Sequence, residues 1–295
     1  MKCPPVISAF FYVISSEAGN LMILSFHPIF EGDRNIICAG RDPGPEDLSA
    51  IRAADAVILP QGCRQSLYKA ARENCCHIFP NYDIKFQYPG KIGQIHLFRE
   101  KNAPHPKTEI YQSINELTLP SGFAFPFVFK FDRGGEGDSV FLINTPEEFD
   151  NMLHQAARFE AGGHQGFLLQ EYISSRNGTL RVAVIAEKIV SYWRVPKSTE
   201  SFYANLSKGA VIDKDSYPDL QSEAAEATAD FCRKTGINLA GFDFLFPQNA
   251  ASEHEAGTPL FLEINYFFGR QGLGGSEKFY ELLVTEIKRW IKSLS

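Results

Sequence analysis

The chain has 295 residues, of which 44% are hydrophobic and 25 are Phe, with a formal net charge of −6 and a pI near 5.7. That length suits two lobes around a shared cleft or one large domain. With no basic run or Arg-rich helix to track a phosphate backbone, nucleic acid is excluded as an expected partner.

The longest early apolar run, residues 6–14, is too short to span a bilayer, follows Pro4 and Pro5, and lacks a small-residue cleavage site. A cytoplasmic protein with no membrane partner is therefore expected. Cys3, Cys38, Cys63, Cys75, Cys76 and Cys232 form no C-x-x-C and read as reduced thiols.

Residues 1 to about 100 alternate short apolar runs with loops and a helix, the rhythm of a small α/β domain with a parallel sheet. A strand is expected over 54–59, a helix over 64–73 and a strand over 76–79. Pro89-Gly90 then breaks the chain, and Lys91 opens a helix to about Lys101 with Ile92, Ile95, Leu97 and Phe98 roughly on one face. The Pro104-His105-Pro106-Lys107-Thr108 segment forces an extended connection and marks a domain boundary.

Next comes PFVFKFDRGGEGDSVFLI, read as a strand over 126–131, a glycine-rich turn over 132–139 and a strand over 140–143. Gly134, Gly135 and Gly137 allow backbone amides to approach an anion, and Lys130 beside the turn adds a point charge to it. The turn matches neither the Walker nor the Rossmann loop. A plain glycine-rich hairpin is the alternative.

Thr145 as N-cap, Pro146 at the first helical position and Glu148 reaching back as a capping box start a helix that runs to about Glu160. A strand over 166–173 ends in QEYI. Its Gln170 and Glu171 lie between apolar neighbours, which implies either an edge strand or a polar contact with a cleft wall. Residues 179–194 read as two antiparallel strands flanked by Arg181 and Arg194 near the cleft, with solvated strand-edge charges as the alternative for both, and NLSKG over 205–209 is a loop carrying Lys208. An amphipathic helix over 220–234 stops at Gly236, and a last helix spans about 277–294.

Between these helices lie two apolar runs joined by a polar loop. The first holds a lone carboxylate, Asp243, which is costly there unless paired or coordinated. The second holds Glu263 and Asn265, two apart and so on one face of a strand. Paired as a hairpin, the three supply hard oxygen ligands without thiolate or imidazole, a set that suits Mg²⁺ better than Zn²⁺. Ordinary polar residues at strand ends are the alternative.

In this order the parts, K then P-x-P-x-T, strand-Lys-glycine loop, Q-E-Y-I, N-L-x-K-G and D…E-I-N, resemble the ATP-grasp superfamily, most closely its RimK-like carboxylate–amine ligases. The resemblance covers roughly residues 80–295 and implies a mixed α/β and α+β protein. It would consist of an N-terminal α/β pre-ATP-grasp domain over 1–103, a small lobe with a glycine-rich lid over 104–172, and a C-terminal lobe with the metal site over 173–295. It also implies that ATP lies between the lobes with Mg²⁺, or Mn²⁺ in its place.

By resemblance, Lys91 and Lys130 contact phosphates, and Gln170, Glu171, Tyr172 and Ile173 form the hinge that receives the nucleoside. Asp243, Glu263 and Asn265 bind the metal. Arg181, Arg194 and Lys208 match cations that steady the transferred phosphoryl group or the acyl phosphate. The implied reaction joins a small-molecule or peptide carboxylate to an amine through an acyl phosphate, with ATP giving ADP and phosphate. A homodimer is the assembly left open. The chain departs from the pattern at Thr179, where an acid is usual, at Tyr203, where a basic residue is common, and at Tyr266-Phe267-Phe268-Gly269-Arg270, which replaces a small, Pro-containing turn. A small-molecule kinase and a nucleotide-binding module with little catalysis are the competing readings.

Overall fold

The computed structural model describes residues 21–38, 40–117, 122–134, 139–175, 178–197, 209–248 and 257–294. The chain divides into two compact units, one of residues up to Tyr82 with Ile185–Lys188 and the segment from Leu273, the other of Asp83–Val184 and Ile189–Gly272.

The first unit is built on a four-stranded sheet in the order β2-β1-β3-β4, from β1 (Ile23–Ser25), β2 (Arg34–Asn35), β3 (Ala56–Ile58) and β4 (His77–Phe79). All pairs are parallel. This is the rhythm expected of residues 1–100, but with two helices, α1 (Pro45–Ala53) and α2 (Gln65–Asn74), where one was expected. The signal for α1 was in the sequence: Pro45 sits in the first turn, and the Asp47 carboxylate accepts from the Gly44 amide at 2.7 Å. The last helix, α7 (Gly275–Lys292), buries Phe279, Leu283, Ile287 and Ile291, and Trp290 meets Phe79 with ring centroids 5.6 Å apart. Trp290 and Leu282 are only partly buried.

The second unit opens with α3 (Asp83–Gln87) and α4 (Gly90–Glu100) and holds two sheets. The smaller runs β5-β8-β6-β7, from β5 (Thr108–Tyr111), β6 (Phe127–Phe131), β7 (Val140–Ile143) and β8 (Phe167–Glu171), with antiparallel neighbours. Its core packs Phe127, Phe129, Phe131, Phe167 and Leu169 against Phe149, Met152 and Ala156 of α5 (Pro146–Ala161). Thr145 caps α5 by accepting from the Glu148 amide at 3.2 Å. Glu148 reaches one residue further than a capping box requires, to the Asn144 amide at 2.7 Å.

The larger sheet runs β11-β10-β9-β12-β13, from β9 (Thr179–Ile185), β10 (Lys188–Val195), β11 (Val211–Asp213), β12 (Leu239–Leu245) and β13 (Leu260–Asn265). Helix α6 (Pro218–Thr235) ends at Gly236, whose φ of 73° is the left-handed geometry glycine adopts without strain. The core beneath this sheet joins Leu180, Val182, Trp193, Phe242, Phe244 and Phe261 with Phe231 of α6 and Phe98 of α4.

Candidate nucleotide and metal site

The acidic hairpin forms as expected. β12 pairs antiparallel with β13, with Asp243 opposite Glu263 and Gly241 opposite Asn265, so one face presents Asp243, Glu263 and Asn265 together. Asp243 is buried at 4% exposure, and its surroundings answer how that is tolerated. Arg181 of β9 holds it with two bonds, Nε to Oδ1 at 2.5 Å and Nη2 to Oδ2 at 3.0 Å. Arg194 Nη2 of β10 lies 2.8 Å from Oδ1, and Asn265 Nδ2 donates to Oδ2 at 3.0 Å. Burial alone would raise the Asp243 carboxyl, but the two guanidiniums outweigh it and hold the group below the usual carboxylate range. For Arg181 burial opposes the charge, and Asp243 reverses the effect and raises it.

Of the hard oxygens on this face, those of Asp243 are therefore already bound to donors. The Glu263 carboxylate and the Asn265 carbonyl oxygen, whose amide nitrogen faces Asp243, remain the donors best suited to a hard cation. Water and phosphate oxygens normally complete such a shell, so this set fits Mg²⁺. Among the described residues no group of three or more His, Cys, Asp or Glu forms a metal cluster by itself.

Lys130 of β6 is 7% exposed, and burial lowers its amine to about 8 despite the opposing charges of Glu263 and Asp243, with Lys91 adding to the lowering. Lys91 of α4 is lowered by burial, against the raising effect of Glu263 and Asp132. Its Nζ donates to Gly134 O at 2.8 Å and to Ser139 Oγ at 3.2 Å, so it sits at the base of the glycine turn. A Cβ at Gly134 would lie 2.7 Å from that of Ser139, and φ there is +118°, so this position requires glycine. Both lysines are thus brought near the hairpin. Gly135, Gly137 and Lys208 lie outside the described residues.

Arg194 Nη2 also donates to Thr179 Oγ1 at 3.0 Å, so the residue that replaces an acid orients the arginine without neutralising it. Arg194 Nε is buried with no hydrogen-bond partner, a costly arrangement that an incoming acceptor would relieve.

The Q-E-Y-I segment differs in part from expectation. β8 lies between β5 and β6, so the edge-strand alternative for Gln170 falls; its Nε2 donates to Thr108 Oγ1 at 2.9 Å. Glu171 Oε1 accepts from the Lys107 amide at 2.7 Å, Tyr172 is exposed and Ile173 is buried.

Sequence reasoning overlooked three residues that build the site. Asp132 Oδ1 accepts from the Ile92 amide at 2.8 Å and anchors the start of α4, an acid at the strand end before the glycines being the signal. Gly241 admits the Arg181 guanidinium, which a Cβ would meet at 2.9 Å. Gln94 binds the Ile264 backbone, and nothing in the sequence marked it.

The chain matches the RimK-like ATP-grasp domain over residues 91–280. No curated protein matches it. Solved structures similar in fold include a RimK domain ATP-grasp protein from Sphaerobacter thermophilus, at 11% identity and TM-score 0.56, covering 90% of this chain and 98% of that one. A D-alanine–D-alanine ligase from Bacillus anthracis complexed with ATP has 13% identity and TM-score 0.55, covering 88% and 86%. The ADP complex of purK, a carboxyaminoimidazole ribonucleotide synthetase, has 12% identity and TM-score 0.56, covering 82% of this chain and 62% of that one. The chain thus spans less than two thirds of that synthetase. No helix among the described residues is long and apolar enough to cross a membrane. With that domain matched over more than half of its residues, the chain belongs to the RimK-like ATP-grasp family.

Proposed function

We propose that this protein is a Mg²⁺- and ATP-dependent ligase that joins a carboxylate to an amine. The carrying observation is the charge arrangement of the site. Four cations, Lys91, Lys130, Arg181 and Arg194, gather near two carboxylates, Asp243 and Glu263, an excess that suits a polyphosphate carrying a divalent cation. The lobes are taken as 104–172 and 173–295, with α4, before residue 104, packed into the compact unit that holds both sheets.

Lys91 and Lys130 bind phosphate oxygens, and Glu263 and Asn265 hold the metal. Asp243 acts chiefly on the two arginines, fixing Arg181 and aiming Arg194. The metal, when bound, neutralises phosphate oxygens and orients them. The substrate carboxylate oxygen attacks the γ-phosphorus and the bond to ADP breaks, giving an acyl phosphate. The amine nitrogen then attacks the acyl carbon, phosphate leaves with the bonding pair, and the amine loses a proton. Arg194 Nε donates to the developing oxyanion.

The test is the unfolding midpoint with Mg-ATP, with ATP plus chelator, and with neither. At a hundredfold Kd, stabilisation of about 2.7 kcal/mol raises the midpoint by about 5 °C. Product analysis against carboxylate and amine pairs then separates a ligase, which releases phosphate and forms an amide, from a kinase, which releases none. No shift with Mg-ATP would remove the reading.

A further inference from the structure

Among the described residues β13 is the last strand of its sheet, and on its outer side the Phe261 amide donates to Pro104 O at 2.8 Å rather than to a further strand. At Ile264 a side chain takes that place. Gln94 Nε2 donates to Ile264 O at 2.9 Å, and the Ile264 amide donates to Gln94 Oε1 at 2.8 Å, across 170 residues of sequence. The carboxamide does what one residue of a sixth strand would do, and Ile264 is the residue between Glu263 and Asn265.

Gln94 stands three residues after Lys91, so both side chains leave one side of α4. The start of that helix is tied to the end of β6 through Asp132, which accepts from the Ile92 amide at 2.8 Å by its carboxylate and from the Lys91 amide at 3.2 Å by its carbonyl. α4 is therefore a strut, fixed at one end to the strand that carries Lys130 and along its length to the strand that carries Glu263 and Asn265.

We propose that Gln94 is a positioning residue of the nucleotide and metal site. Its paired hydrogen bonds set the Glu263-to-Asn265 segment against the two lysines, so metal-dependent nucleotide binding depends on it through the Ile264 backbone. The inference rests on the nucleotide reading above. Only a primary carboxamide of this length offers a donor and an acceptor side by side. Glu keeps one acceptor and opposes the Ile264 carbonyl, Asn is one methylene short, and Met keeps the length but neither bond.

The experiment compares wild type, Gln94→Met and Gln94→Glu by calorimetric titration with ATP, in Mg²⁺ and in chelator, and by hydrogen exchange of the Ile264 amide in nucleotide-free protein. In both variants Mg-ATP affinity falls about tenfold or more, as for other residues that orient metal ligands. Affinity in chelator changes less than about twofold, and the Ile264 amide exchanges faster. An equal loss in both conditions, which a merely loosened fold would give, overturns the proposal, as does undiminished Mg-ATP affinity. If wild type binds neither form, the nucleotide reading fails and takes the metal link with it. The exchange data still judge the clamp: acceleration in Gln94→Met supports it, and unchanged exchange overturns it.

Discussion

Arg181 and Asp243 face each other across adjacent strands in a two-bond pair, Nε to Oδ1 at 2.5 Å and Nη2 to Oδ2 at 3.0 Å, and both are almost fully buried. A buried ion pair adds little stability compared with an apolar pair, yet removing one member leaves the other uncompensated. Here a second guanidinium is affected, because Arg194 also pairs with Asp243. Asp243→Asn is expected to destabilise the protein by about 3–5 kcal/mol. Denaturant titration measures it, and a loss below about 1 kcal/mol would mean that the arginines find other partners.

Glu263 behaves differently. It is partly exposed and faces Asp243 across the strand pair, so Glu263→Gln keeps the shape and changes stability by less than about 1 kcal/mol. The midpoint shift caused by Mg-ATP is expected to disappear in this variant, while any shift with ATP in chelator persists. A full Mg²⁺-dependent shift in folded Glu263→Gln would take the carboxylate out of the metal site.

Gly90 is the first residue of the α4 strut. Its φ is +72°, and a Cβ there would collide with Asp132 Oδ1, the atom that accepts from the Ile92 amide. Gly90→Ala therefore meets left-handed strain of about 1–2 kcal/mol and displaces the carboxylate that anchors the helix. Lower stability together with weaker nucleotide binding is expected, since Lys91 moves with the helix start. Gly163, with φ of +82° and open space around its Cβ position, is the control: Gly163→Ala carries only the strain and leaves binding unchanged.

The residues that can be read from sequence are those whose chemistry conflicts with their neighbours. A carboxylate within GFDFLF, a lysine within FVFKF and a glycine such as Gly134 each announce a special environment, and the hairpin, the buried lysine and a left-handed Gly134 are found there. Partners chosen by the tertiary fold leave no such mark. That Asp243 would answer to Arg181 and Arg194 depends on the order β10-β9-β12, which no local pattern encodes. Gln94 is an ordinary helix residue until β13 becomes an edge strand beside it. The parallel order β2-β1-β3-β4 likewise follows from crossovers, whereas the strands themselves follow from runs such as AVIL.

Lys130 gives the site a pH dependence whose direction can be derived. Its amine falls to about 8 in the folded protein, with Glu263, Asp243 and Lys91 as the charges facing it, against about 10.4 for an unperturbed lysine. Between these values the unfolded chain binds more protons than the folded one, so the contribution of Lys130 to the stability of nucleotide-free protein rises as pH increases from about 8 to about 10.4. Nucleotide binding runs the other way. A polyphosphate favours the charged amine, so binding above about pH 8 requires proton uptake, and affinity falls with pH by up to about tenfold per unit. Lys91 is lowered in the same direction and reinforces the trend. Calorimetric titration at pH 7, 8 and 9 in buffers of different ionisation enthalpy reads both the affinity and the proton uptake. Lys130→Met is expected to lose affinity at pH 7 and to show a shallower pH slope. A slope identical to wild type would assign the titration to another group.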